Sequence, residues 1–171
     1  ISSGGGKTII RRMTVPAADG KSLSYITYIP ENAQHGEPAP AFVIWPGRSS
    51  NSHQLDMWAM EVSRRGYVGI TVDWNGNGET DVLGDQELYV QALMDSVTDM
   101  PYVDKEYVAV LGNSAGNSAA TTACKLYQDN VVAYIDDVHP RLLGDQPEVN
   151  TLVIAAMAHQ YVKTFVGEQD A

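Results

Sequence analysis

Apolar residues along this chain fall first in alternation, then in unbroken runs separated by stretches of helical period. Thr8–Val15 and Leu23–Ile29 read as strands, and Asp19-Gly20 between them signals a tight turn, so an antiparallel hairpin is expected. Pro30–Pro40 reads as a polar, proline-bearing surface loop. From Ala41 the pattern changes. Ala41-Phe-Val-Ile-Trp45 is a continuous apolar run, the mark of a strand covered on both faces. Leu55, Trp58, Ala59 and Val62 recur at helical spacing, with Gly66 placed to close that helix in a left-handed cap. Val68–Val72 is a second buried strand, and Tyr89, Val90, Leu93, Met94 and Val97 mark one face of a second helix. Tyr107–Leu111 then reads as a strand and Ser114–Tyr127 as a helix, whose small Ala115, Ala119, Ala120 and Ala123 let it lie close on a sheet. Val131–Ile135 and Thr151–Met157 are further runs of strand length. The sum is an α/β fold, a mostly parallel sheet with helices on both faces and an N-terminal antiparallel hairpin at one edge. No repeat or linker divides it, so residues 1–171 read as a single domain with a flexible lead-in over residues 1–7.

In such sheets ligands bind outside the carboxyl ends of the strands. The chemistry-bearing residues cluster there: Arg48 and Ser49, Asp73 and Trp74, Ser114, then Asp136, Asp137 and His139, and finally His159. The most informative is Ser114. An apolar run enters Gly112-Asn-Ser-Ala-Gly116 and an alanine-rich helical stretch follows at once, the strand–turn–helix context of a nucleophile elbow. Gly112 and Gly116 are expected where a side chain would collide with its neighbours, and Ser114 in a strained conformation at a helix N-terminus, where N–H groups and partial positive charge face any anion.

Composition narrows the choices. The hydrophobic share is 44% and the charged share 19%, as in ordinary globular domains, and 171 residues suffice to bury about 70% of the unfolded surface. No apolar run approaches the ~20 residues of a membrane span. Net charge is −10 with no basic stripe, so nucleic acid is not expected as a partner. Cys124 is the sole cysteine, read as a buried thiol in its alanine-rich helix. The histidines do not fall at metal-ligand spacing, so no metal is expected. Gly-Gly-Gly-Lys-Thr at residues 4–8 lacks the first glycine and preceding strand of a phosphate loop. Asp81 stands where a dinucleotide loop beginning at Gly76 needs its third glycine, so no cofactor is expected.

At these motifs the chain resembles the α/β-hydrolases, and within them the dienelactone-hydrolase and polyester-hydrolase (cutinase-like) branch. The matching stretches are Phe42-Val-Ile-Trp-Pro-Gly47, Arg65–Asp73, Tyr102–Gly116 and Thr151–Ile154, in the same order. Asp73-Trp-Asn-Gly-Asn-Gly78 is also similar to the Asp-x-x-Gly-x-Gly segment of related esterases. The resemblance implies that Ser114 is the nucleophile, with the N–H groups of Ala115 and Arg48 as the two halves of an oxyanion hole. It also exposes two departures. Asn113 stands where many relatives carry histidine or tryptophan, and Asn117 replaces a frequent second glycine.

The triad partners leave two arrangements open. Within the chain, His159 is the base candidate, paired with Asp137 or Asp136 after the preceding strand. Alternatively Val166-Gly-Glu-Gln-Asp170 is similar to the family's strand-end Gly-x-x-Asp, which makes Asp170 the acid and places the base beyond Ala171, in a C-terminal part this chain lacks. His35 and His53 read as surface residues, although His53 and Trp74 are candidates for the pocket mouth and wall. The expected function is hydrolysis of small or polymeric carboxylic esters through a Ser114 acyl-enzyme. The alternative is a degenerate or shortened hydrolase-like scaffold that binds a ligand or partner without turnover. The short Pro140–Asn150 connection leaves no space for a lid domain, which favours an open cleft. A start at Ile1 reads as processed and favours secretion over the cytoplasm; no feature specifies an oligomeric state.

Overall fold

The computed structural model describes residues 7–47, 55–73 and 86–137, together with the backbone of residues 150–154. Seven strands form one sheet: β1 (Ile9–Pro16), β2 (Ser22–Ile29), β3 (Ala39–Trp45), β4 (Val68–Asp73), β5 (Val103–Asn113), β6 (Val131–Asp137) and β7 (Asn150–Ile154). Their spatial order is β1-β2-β4-β3-β5-β6-β7, antiparallel on both sides of β2 and parallel from β4 to β7. The α/β architecture and the edge hairpin therefore stand as the hydrophobic pattern implied.

Helices cover both faces. Helix α2 (Asp56–Arg64) lies on one face, where Leu55 and Ala59 pack with Ile26, Tyr28, Ile44 and Leu111. Helices α3 (Gln86–Thr98) and α4 (Gly116–Leu126) lie on the other, where Tyr89, Leu93, Met94, Ala119, Ala120 and Ala123 meet Val43, Trp45, Ile70, Val72 and Tyr134. Alternate residues of β3 thus divide between two cores, and Val68, Ile70 and Val72 of β4 enter the larger one, while Thr71 and Asp73 are buried polar residues of the same strand. Every residue of β4 is buried. Gly66 closes α2 at φ 92 and donates to Ser63 O at 3.0 Å, the left-handed cap expected there.

Several boundaries differ from the sequence reading: β3 begins at Ala39, inside the stretch read as a loop, and β6 runs on through Asp136 and Asp137, which the apolar run places after the strand. The stretch read as a loop after β2 contains a short helix, α1 (Glu31–Gln34), held by Gln34 Nε2 donating to Lys7 O and Ile29 O at 2.7 and 2.9 Å. One turn is too short to display a period. Strand β5 begins four residues before Tyr107, because Val103 and Asp104 pair with Ala39 and Pro40. Backbone pairing is indifferent to the polar side chains of Asp104–Glu106. Helix α4 begins at Gly116, leaving Ser114 in the turn before it.

Candidate active site

The carboxyl ends of β3, β5, β6 and β7 are level with one another. Trp45 pairs with Gly112, Gly112 with Asp136, Asn113 with Asp137, and Asp137 with Ile154. Ser114 emerges from this rim between β5 and α4, half-buried, with φ 50. Among the described residues it is the sole non-glycine with positive φ. For an L-residue that conformation is disfavoured and persists only where the surroundings over-determine it.

Those surroundings are specific. A Cβ on Gly112 would lie 2.4 Å from Asn117 Cα, and one on Gly116 would lie 2.1 Å from Trp45 O. Neither position has space for a side chain, as the motif implied. The Ser114 N–H donates to Asp137 O at 2.9 Å, and Asn117 N–H returns to Ser114 O at 3.1 Å. Among the described residues no acceptor takes the N–H of Ala115, which lies just before the helix N-terminus. A half-buried serine therefore directly precedes a backbone donor with no acceptor among the described residues, at the positive end of α4.

Side chains from β6 brace the turn. Asn113 Nδ2 donates to Asp137 Oδ2 at 2.7 Å, and Asn117 Nδ2 donates to Asp137 O at 3.4 Å. Tyr134 OH donates to Asn117 Oδ1 at 2.9 Å. Burial and the neighbouring Asp136 carboxylate push the Tyr134 hydroxyl well above its usual range, so it stays a neutral donor. The sequence reading registered Asn113 and Asn117 only as family departures and Tyr134 only as part of an apolar run. The one signal available was amide side chains in a turn that faces a strand end rich in carboxylates.

Of the candidate site residues, the structure brings Ser114, Ala115 and Asp137 together. Arg48, His53, Trp74, His139, His159 and Asp170 lie outside the described residues. Asp136 precedes Asp137 on β6, and strand alternation sends the two side chains to opposite faces. Asp73 is buried at the end of β4, where Arg12 reaches it at 3.3 Å. His35 is exposed just past α1. Cys124 is buried in the α3/α4 core, which pushes its thiol up to about 12 and keeps it protonated at neutral pH. Among the described residues no group of three or more His, Cys, Asp or Glu could hold a metal ion, and no helix is long and apolar enough to cross a membrane.

This sheet, with its edge hairpin and a serine lifted over the rim between β5 and α4, has the α/β-hydrolase fold. More narrowly, a family model described as "Esterase FrsA-like" matches residues 5–158, and the chain belongs to that family. It is 29% identical over 113 residues to 2,6-dihydropseudooxynicotine hydrolase of Paenarthrobacter nicotinovorans, a match covering 63% of this chain and 30% of that protein. The chain thus spans under a third of the curated relative it matches. The solved structure of 2,6-dihydroxy-pseudo-oxynicotine hydrolase superposes with a TM-score of 0.61 at 26% identity, covering 73% of this chain and 35% of that one. A dienelactone hydrolase-like promiscuous phosphotriesterase from metagenomic libraries superposes with a TM-score of 0.65 at 19% identity, covering 84% and 67%.

Proposed function

We propose that this chain carries the nucleophile of a serine hydrolase that cleaves carboxylic esters. The observation that carries the reading is Ser114 itself. It stands at φ 50 in a turn that admits no side chain at Gly112 or Gly116, two residues before α4 begins. Membership of an esterase family and likeness to a hydrolase support the same chemistry.

In this reading Ser114 Oγ attacks the acyl carbon and yields its proton to a histidine base, for which His159 is the candidate within the chain. The carbonyl oxygen becomes an alkoxide that accepts hydrogen bonds from the N–H of Ala115 and, by family resemblance, of Arg48. Each such donor contributes ~3–4 kcal/mol to lowering the barrier, because it meets charge that exists only in the transition state. Collapse expels the alcohol, which takes the proton from the base, and leaves an acyl group on Ser114. Water, deprotonated by the same base, then releases the acid.

A fluorophosphonate probe should label Ser114, and the protein should hydrolyse a short p-nitrophenyl ester. Ser114→Ala should abolish labelling and lower turnover on the order of 10⁴-fold or more. Folded wild-type protein that takes no label and releases no p-nitrophenol would defeat the proposal and favour a scaffold that binds without turnover.

A further inference from the structure

The Asp137 carboxylate has been considered as a triad acid, but its contacts point elsewhere. Asn113 and Asp137 are directly opposite in the β5/β6 register, so their side chains project on the same face of the sheet. Their separation is 2.7 Å, a short charge-assisted bond, and only 5% of Asp137 is exposed. The same residue accepts the Ser114 N–H and the Asn117 amide on its main-chain carbonyl. Asp137 therefore grips the turn on both sides of Ser114.

The other end of the Asn113 amide is equally constrained. A Cβ on Gly47, in the turn after β3, would lie 3.0 Å from Asn113 Oδ1 and 3.1 Å from Ser114 Cβ. The amide thus fills the gap between the end of β6 and the turn after β3, with its NH₂ committed to the carboxylate. Rotating it would set Oδ1 against Oδ2, acceptor against acceptor.

We infer that Asn113 and Asp137 are a positioning pair, which holds Ser114 at its strained angle and at a fixed distance from the Pro46-Gly47 turn. Asp137 is then committed to the serine turn and does not serve a histidine. This inference rests on the reading of Ser114 as nucleophile.

The test compares Asp137→Asn, Asn113→Asp and the exchanged double variant N113D/D137N in the full chain, with kcat and KM for a p-nitrophenyl ester. An asparagine at 137 can still accept from Asn113, so Asp137→Asn should lose no more than ~10-fold in kcat. Asn113→Asp sets two carboxylates against each other and displaces the turn. It should lose ~10²-fold in kcat with KM changed less than ~3-fold, the scale expected of a misplaced reacting group. The double variant rebuilds the same bond with the partners reversed and should return to within ~10-fold of wild type. Asparagine and aspartate are nearly isosteric, and near-UV circular dichroism checks that each of the three variants is folded.

A triad acid behaves differently. Losing its charge costs roughly 10⁴-fold, so an Asp137→Asn variant that falls this far, with a double variant no better, would overturn the inference. Failure of the underlying reading is distinguishable, since it would be seen in the wild type before any substitution, and it would remove the positioning role as well.

Discussion

Two tight turns in this molecule bend the chain in opposite ways. Between β1 and β2, Gly20 takes φ 84 and a Cβ there would meet no atom within 4 Å. The bend is local: Ala17 N–H donates to Lys21 O, Gly20 N–H to Ala17 O, and Lys21 N–H to Asp19 Oδ1. Between β5 and α4 the positive φ falls on Ser114, while the flanking glycines provide clearance against Asn117 and Trp45. One turn uses glycine for its torsional freedom, the other for its lack of volume. A serine can hold a left-handed angle because hydrogen bonds from a different strand keep it there.

Gly116→Ala attacks clearance and should have the largest effect. Its Cβ would drive α4 away from the carbonyls of Trp45 and Pro46, 2.1 and 2.7 Å away, and backbone cannot yield as a side chain tip does. Urea denaturation should record a loss of about 3 kcal/mol, together with loss of Ser114 labelling. Gly20→Ala attacks torsion alone and should cost ~1 kcal/mol, with ester turnover unchanged and Gly20→Asn milder still. Equal losses at the two sites would erase the distinction drawn between them.

The smallest effect belongs to the side chain that moors the hairpin. Tyr89 OH donates to Asp19 Oδ2 at 2.7 Å, and with Lys21 N–H it holds the Asp19 carboxyl below its ordinary value of 3.8. A depressed carboxyl stabilises the fold above its unfolded pKa, and that contribution is lost as pH falls through the folded value. Tyr89→Phe should therefore lower Tm slightly at pH 7. The gap from wild type should close as pH drops below about 3.8. A gap that widens in acid would reverse the assignment.

Much of the fold was legible because burial leaves a periodic trace. The apolar run Val68–Val72 in β4 and the helically spaced Tyr89, Val90, Leu93, Met94 and Val97 of α3 each announced what they bury. The hairpin was legible from Asp19-Gly20, whose chemistry needs no distant partner. Helix α1 and the first residues of β5 were hidden, the former by its brevity and the latter by polar side chains that do not hinder backbone pairing. At the candidate site Ser114 was legible from its glycines, but its bracing was not. Asn113 and Asp137 lie 24 positions apart, and neither residue type marks the other.

By itself the sequence determined the order of strands and helices, the place of the hairpin, and the two glycines that let a serine stand at a crowded rim. These follow from volume, torsional freedom and periodic burial, all of which act within a few residues. Only the tertiary structure decided which carboxylate meets which amide. That choice depends on the register of β5 against β6, and a shift of one residue would send the Asp137 side chain to the opposite face of the sheet.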